Sequence, residues 1–594
     1  VTDDDQTGSE ETGVDPDPRA LTAHDQAHVA RALEELARLI ALSGEAPFKA
    51  RAFERGAQLV SAMGDELGRL IADQELSSID GIGPSLIKQI AELWETGSSG
   101  LLLRLRKEYP LGAGELSRIK GMTVRRIRTL SEQLGVQSVE ELRDACAKGR
   151  VASLHGFGAK TEARLLTQID ALEARQTGEK RILLYEAEEL FARIREHLAS
   201  CQAVQAVALS GAARRAEETL RELELLIVSD DEQGVFDQLK DLGAVIYVDR
   251  KRRVAYLTSG IPLCLHIEPA ARAPLAWLRT TGSEAHVREL EARAKKLGIA
   301  LGEAHAEASS LSEAESGFYR QLGLSAVPVE LRQGTNELNL AEHDDFADLI
   351  AAPDIQGFVH CHTTYSDGRH SVEEMARAAH ALGMQYITIT DHSPTAHYAR
   401  GVDVDRLRRQ WDEIREVETR VPIRILRGTE SDILEDGSLD YPDAVLDQLE
   451  VVIASIHARF RMDKAAMTER LVRAMQLPVF KIWGHALGRL LLTRDPIECD
   501  VDRVFDALKG SSGAIEISGD RHRLDLPPAL IPRARERGIP FVISVDAHST
   551  EGLNSLALGV KMARRGGVRR SEVLNALTPD AFAEAVRPTR SLRV

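Results

Sequence analysis

Between Phe358 and His548, one apolar run after another ends in an imidazole or a carboxylate. Phe358-Val359-His360-Cys361-His362 opens the series and Phe541-Val542-Ile543-Ser544-Val545-Asp546-Ala547-His548 closes it. Tyr386-Ile387-Thr388-Ile389-Thr390-Asp391-His392 and Val451-Val452-Ile453-Ala454-Ser455-Ile456-His457 lie between them, and two further runs end at Glu430 and His485. Short apolar runs alternating with helical stretches are the signature of βαβ units and a parallel sheet. About seven strands are expected from Pro353 onward on this pattern. Strands wound round a barrel bring their ends to one rim. The pattern therefore predicts that these side chains meet in a multinuclear metal site suited to hydrolysis.

The rest of the chain calls for further domains, since a single core rarely outgrows about 250–300 residues and this chain has 594. Asp3, Asp4, Asp5, Glu10, Glu11, Asp15 and Asp17 crowd residues 1–25, which are expected to form a disordered acidic tail. The N-terminus carries no basic and apolar leader, and no run of about 18 apolar residues occurs, so no membrane partner is expected. Five scattered cysteines without a CxxC pair fit a reducing cytoplasm. The net charge of −17 argues against a general nucleic-acid binder. Against it, Arg118, Lys120, Arg125, Arg126 and Arg128 fall in eleven residues that contain no acid.

Residues 26–105 read as short helices from the spacing of Ala30, Leu33, Leu36 and Ile40 and of Leu86, Ile90 and Leu93. Ile79-Asp80-Gly81-Ile82-Gly83-Pro84 is a tight turn between two of them. Such a turn exposes backbone N–H groups at a helix N-terminus, where a phosphate can bind. Ile119-Lys120-Gly121-Met122-Thr123 and Leu154-His155-Gly156-Phe157-Gly158 repeat the unit, the middle copy without its second glycine. Three such turns look like helix-hairpin-helix elements, which hold the DNA backbone without reading sequence. The alternative is a set of plain helical corners. Further on, residues 223–228, 245–248, 254–257 and 263–267 are strand candidates, and the polar stretch 341–352 suits a linker.

This order of parts resembles a bacterial family X DNA polymerase, a polymerase beta-like core fused to a C-terminal PHP (polymerase and histidinol phosphatase) domain. Pro47-Phe48-Lys49-Ala50-Arg51-Ala52-Phe53 resembles the start of the small DNA-binding domain. His360-Cys361-His362-Thr363-Thr364-Tyr365-Ser366-Asp367-Gly368, Thr390-Asp391-His392-Ser393 and Asp546-Ala547-His548 resemble the PHP motifs. The resemblance implies a multidomain chain. A helical hairpin domain would occupy 26–105, and a fingers-like domain with two more hairpins 106–177. An α+β palm would occupy 178–262, and a thumb-like domain with the last palm strand 263–340. A distorted (βα)7 PHP barrel would follow at 353–594. Gly81, Gly83, Gly121, Gly156, Gly158, Arg125 and Arg126 are the expected DNA contacts.

In the barrel, the resemblance implies a first ion on His360, His362, Glu430 and Asp546. Glu430 would bridge to a second ion on His457 and His485, and a third would take Asp367, His392 and His548. Mixed nitrogen and oxygen donors suit manganese, zinc or iron better than magnesium. Cys361 is expected to pack away from the site, and His370 and His397 match no ligand. Arg489 is a candidate phosphate clamp, with a plain salt bridge as the alternative.

The palm departs from the family's pattern. Ala212 stands for the phosphate-binding serine and Arg221 for a glycine. Glu222 and Glu224 replace two metal-binding aspartates, and Cys264 replaces the third. A thiol is a poor magnesium ligand and each glutamate displaces its oxygens by a methylene, so polymerase activity is expected to be lost. Arg214 and Arg215 are retained and could bind phosphate or sit in salt bridges; Thr281-Gly282-Ser283 resembles the nucleotide-facing turn. The lyase lysine of the small domain falls on Gln89, beside Lys88, so no lyase is expected.

Together these readings imply a monomeric DNA-repair 3′–5′ exonuclease acting on gapped, nicked or 3′-ended DNA, with no protein partner indicated. The alternatives are a non-catalytic DNA scaffold, a phosphatase for a small phosphomonoester, and a residual polymerase.

Overall fold

The structure, a computed structural model, describes residues 26–588 apart from 44–46, 64–65, 79–81, most of 109–123, 137–138, most of 155–180, 258, 260, 303–309, 344–345 and 512. The expected acidic tail therefore lies outside the described residues. No helix among the described residues is long and apolar enough to cross a membrane. The chain forms two compact units. The first runs to Lys180 and adds Lys240–Val248 and Tyr256–Ile261; the second takes the remainder.

The first unit is helical. Its longest helices are Gln26–Ser43, Pro47–Met63, Pro84–Thr96 and Val124–Leu134. Their apolar faces supply Leu33, Leu36, Phe53, Val60, Leu86, Ile90, Leu93 and Leu130 to one buried core. Gly56 lets two helices touch, because a Cβ there would lie 2.7 Å from Leu86 Cδ2.

The second unit contains two sheets that matter for function. In the first, β1 (Ala206–Ser210) runs antiparallel to β2 (Leu223–Val228), and β2 runs parallel to β3 (Pro262–Glu268). The expected strands at 245–248 and 254–257 also form, as Val245–Asp249, nearly all of it in the first unit, and Val254–Leu257, divided between the two.

The other sheet holds seven parallel strands in sequential order: β4 (Gly357–Cys361), β5 (Tyr386–Ile389), β6 (Arg424–Asp432), β7 (Val451–Ser455), β8 (Ile482–Trp483), β9 (Ala514–Ser518) and β10 (Phe541–Ser544). Beyond β10 the chain turns back onto β4. Ala547 N–H donates to His360 O at 3.0 Å, and His362 N–H donates to Ala547 O at 2.8 Å. The result is a nearly closed parallel barrel, as the apolar runs predict. Every residue of β4, β5, β7, β8, β9 and β10 is buried, which explains runs that are apolar rather than alternating. Phe582 and Val586 pack against Tyr386, Val451 and Ala514, the first residues of three strands, and so plug the end of the barrel opposite the strand C-termini.

The stretch expected as a linker is partly packed. Ala341 is buried at the end of helix Glu337–Glu342, and Ile350 N–H donates to Val568 O at 3.0 Å. Its acidic start masked the apolar Leu349 and Ile350, both buried.

Candidate metal centre

The expected ligands come off the C-terminal ends of the barrel strands, as the strand–ligand pattern requires. Three of them have left-handed backbones that favour glycine: His360 (φ 67°), His485 (φ 23°) and Asp546 (φ 47°). Such conformations cost on the order of 1–3 kcal/mol each and persist where surrounding structure enforces them. Simple alternation places His360 and His362 on one side of a strand. The ladder to β5 instead slips between Phe358 and Cys361, at His360. Thr388 Oγ1 accepts the bulged His360 N–H at 3.1 Å. Both imidazoles still arrive at the same place, with Nε2 atoms 3.5 and 3.3 Å from Asp546 Oδ1. Cys361 is buried and held by Thr390 Oγ1, which accepts its N–H.

Glu430 is the hub. Its Oε1 lies 2.8 Å from His485 Nε2, 3.2 Å from His457 Nε2 and 3.3 Å from His360 Nε2. Its Oε2 lies 3.0 Å from His392 Nδ1 and 3.6 Å from His362 Nε2. Asp367 Oδ1 lies 3.4 Å from His548 Nε2, while Oδ2 lies 3.6 Å from His392 Nε2. All nine expected side chains thus join one cluster. Its tight subsets are His360/His362/Asp546, His360/Glu430/His485, His392/Glu430/His457 and His362/Asp367/His392/His548. His457 and His485 meet through Glu430 Oε1 rather than as an isolated pair.

The electrostatics suit cations. Burial alone would raise the Glu430 carboxyl, yet His457, His360 and His392 hold it well below the usual range. Burial disfavours a charged His360, yet Glu516, Glu430 and Asp546 push it up. His362 goes the other way, down to about 4, through burial and the neighbouring His548 and His392. Several atoms aimed into the cluster are buried without a hydrogen-bond partner: His360 Nε2, both nitrogens of His362, His392 Nδ1 and Glu430 Oε2. Buried and unsatisfied, each would cost about 1–3 kcal/mol. Divalent ions would engage such donors and displace the protons that the carboxylates otherwise attract.

Supporting carboxylates escaped the sequence reading. Glu516 Oε1 lies 2.6 Å from His360 Nδ1, and Asp432 Oδ1 lies 2.5 Å from His457 Nδ1. Each turns its imidazole so that Nε2 faces Glu430. The signal for Glu516 was a lone carboxylate in the apolar strand Ala514-Ile515-Glu516-Ile517-Ser518. Asp391 organises the loop carrying Asp367: it accepts Thr363 N–H at 2.8 Å, Ser366 N–H at 3.1 Å and Gln410 Nε2–H at 2.6 Å.

Arg489 adopts the second of its two expected roles, the salt bridge. Its guanidinium donates to Arg523 O at 2.9 Å, to Leu524 O, and to Glu218 Oε1 at 3.1 Å. Buried carbonyls and a carboxylate claim it, so it does not point into the cluster as a phosphate clamp. The cation that does approach is Arg523, whose Nε lies 3.6 Å from Asp546 Oδ2.

In the helical unit, Gly83 is exposed at the N-cap of Pro84–Thr96, and Gly158 O accepts the N–H groups of Thr161 and Glu162 at 2.8 and 2.9 Å. A Cβ on either glycine would meet nothing within 4 Å, so both positions face open space. Arg126 sits over the Phe157 ring at 5.3 Å. Gly81, Gly121, Gly156 and the Arg125 side chain lie outside the described residues. Gln89 is buried, whereas Lys88 is exposed beside Glu92, so the lysine does not occupy its neighbour's position.

Known proteins match this arrangement. A helix-hairpin-helix domain model matches residues 24–99, a SAM-like helix-hairpin-helix tandem model 113–171, and a PHP domain model 359–517. A DNA polymerase/3′–5′ exonuclease PolX of Bacillus subtilis is 32% identical over 559 residues, covering 92% of this chain and 97% of that protein. The chain belongs to the PolX family. Two proteins named "probable phosphatase", from Thermoanaerobacter sp. and Caldanaerobacter subterraneus, are each 29% identical over 36% and 32% of this chain, covering 88% and 74% of their own lengths.

For a PolX-family chain, the sheet of β1–β3 is the second place to look. Ala212 lies in the turn Gly211–Arg214, and Glu224 folds over Gly211, where a Cβ would lie 1.9 Å from Glu224 Oε1. Glu224 Oε2 lies 3.0 Å from His266 Nε2, and Cys264 Sγ–H donates to Glu222 Oε2 at 3.5 Å. Burial and the adjacent Glu222 push the Cys264 thiol up to about 12, keeping it protonated. Glu222, Glu224 and Cys264 fall in none of the metal-competent groups found among the described residues. Arg214 and Arg215 are engaged within the protein. Arg214 pairs with Glu315 at 2.7 Å and lies over the Trp277 ring; Arg215 donates to Thr281 O and Glu217. Ser283 caps the helix Glu284–Leu297, accepting His286 N–H at 3.1 Å.

Proposed function

We propose that this chain is a metal-dependent 3′–5′ exodeoxyribonuclease, acting from the barrel, whose polymerase palm no longer copies DNA. One observation carries the first half: Glu430 has five imidazoles around its two oxygens, at 2.8–3.6 Å, inside a buried cluster with orphaned donor atoms. His360, His362, Glu430 and Asp546 would hold one ion, Glu430, His457 and His485 a second, and Asp367, His392 and His548 a third. The donor set favours manganese, zinc or iron.

When bound, such ions supply a nucleophile from water at neutral pH and offset charge on a phosphodiester. The chain's own residues do the positioning. Glu516 and Asp432 fix the tautomers of His360 and His457. The network around Asp391 orders the loop that presents Asp367. Arg523, beside Asp546, stands ready to meet a phosphate oxygen.

The loss of polymerase activity rests on the palm. The His266 imidazole, 3.0 Å away, occupies Glu224, and a protonated thiol occupies Glu222, where the family's pattern needs three hard carboxylates. The exposed turns at Gly83 and Gly158 support backbone binding of DNA, with gapped, nicked or 3′-ended forms as substrates. Along the sequence we keep the division into a palm (178–262), a thumb-like part (263–340) and the PHP domain (353–594).

The test is 5′-labelled gapped DNA with manganese, with and without deoxynucleotides. Shortening without extension is expected; extension would overturn the account of the palm. A second reading, a phosphatase for small phosphomonoesters, draws support from the phosphatase-named relatives that match the barrel segment. Higher turnover on phosphomonoesters than on DNA ends would favour it.

A further inference from the structure

We propose that Tyr398 is a stacking platform for the terminal base of the DNA strand being digested, an inference that rests on the nuclease reading above. Tyr398 is 66% exposed and is the one exposed aromatic residue of the second unit among the described residues. It rides on the short turn His397–Ala399, which follows the His392 motif. That turn is firmly tied down. Ala396 N–H donates to Ser393 O, Gly401 N–H to Ala396 O, and Val402 N–H to His392 O, at 3.1, 3.0 and 2.8 Å. Ala396 and Ala399 are buried on either side of the tyrosine. Gly401 allows the close return, since a Cβ there would lie 2.1 Å from Ser393 O. A rigid backbone thus holds a large ring in water, and flexibility does not account for the exposure.

The ring is also aimed. Its centroid lies 5.8 Å from that of His392 and 6.1 Å from that of His457, at interplanar angles of 65° and 57°. Neither imidazole therefore lies flat against it. The cluster grades from closed to open: His360 and His362 are fully buried, while Asp367 and His548 are about a third exposed. A nucleotide entering from the open side presents its phosphate to the cluster, and its base lies one sugar away. An exposed ring beside His392 and His457 is the natural partner of a base face, which all four bases possess, so the contact is sequence-tolerant. Tyr398 would then be a positioning residue that favours nucleotide ends over small phosphate esters.

The test uses the full chain loaded with manganese and 5′-labelled single strands ending either in a normal nucleotide or in an abasic tetrahydrofuran residue. Removal of the base-bearing end by Tyr398→Ala is expected to show a KM about 10-fold higher than wild type, with kcat little changed. The abasic end should give the same KM for both proteins, and Tyr398→Phe should restore the low KM on the base-bearing end. Equal losses on both ends, or a phenylalanine variant as poor as alanine, would overturn the stacking role while leaving the nuclease reading intact. Absence of digestion by the wild type would overturn the nuclease reading and this inference with it.

Discussion

Glu218 Oε1 lies 3.1 Å from Arg489 Nη2, while its other oxygen lies 2.5 Å from Arg565 Nη1. This carboxylate lies shortly before β2, and both arginines belong to the barrel segment. Arg489 continues the connection, donating to the carbonyl of Arg523, whose side chain approaches Asp546. Lys561–Glu188 and Arg564–Glu330 are further ion pairs, from the helix Leu556–Arg565 to the helix Leu184–Ala199 and the turn Val329–Leu331. Glu188, Glu218 and Glu330 are thus fastened by charge to the barrel within the second unit.

Glu218→Ala should be destabilising, because it strands two largely buried guanidinium groups. The expected loss is about 3 kcal/mol, the lower end for breaking a buried pair, read from the denaturation midpoint. The guanidiniums hold the Glu218 carboxyl below its usual range despite burial. Its contribution should therefore be complete above the ordinary glutamate range and fade as pH falls through the lowered value.

Glu337 predicts a second acid-sensitive contribution. Against the effect of burial, His286 and the N–H groups of Gly334 and Thr335 pull its carboxyl from 4.5 to about 2. A depressed carboxylate stabilises above its unfolded pKa and loses that stabilisation as pH falls toward the folded one, here between about 4.5 and 2. The amount is about 3 kcal/mol at neutral pH. Glu337→Gln should flatten this acid limb in unfolding experiments.

His360→Ala or Asp546→Asn should abolish digestion and leave DNA binding nearly unchanged, measured as exonuclease rate and as retention of labelled gapped DNA. Full activity in both variants would refute the metal-centre assignment.

Glu516→Gln should weaken metal affinity about 10- to 100-fold, since it removes the carboxylate that orients His360. Competition with a chelator gives the readout, with the fold monitored by circular dichroism.

Arg523→Ala and Arg489→Ala should separate. The first should lower kcat/KM about 100-fold, in line with loss of a charge-stabilising donor, with a small change in stability. The second should mainly lower the denaturation midpoint.

The sequence by itself determined the barrel and its nine converging side chains. Candidate ligands at the ends of six of the seven apolar strands need only strand order and parallel pairing to reach one rim, and both are local consequences of the βαβ pattern. Tertiary structure alone decided what long side chains do. Arg489 follows a ligand by four residues yet reaches Glu218, 271 positions away, because a guanidinium turns toward whichever carboxylate and carbonyls the fold brings near. Glu516 sits in the middle of an apolar strand, where spacing cannot say which imidazole it will meet. The left-handed turn at His360 arises from a bulge that residue alternation does not encode. Packing of distant segments sets these outcomes, so they appear only once the chain has folded.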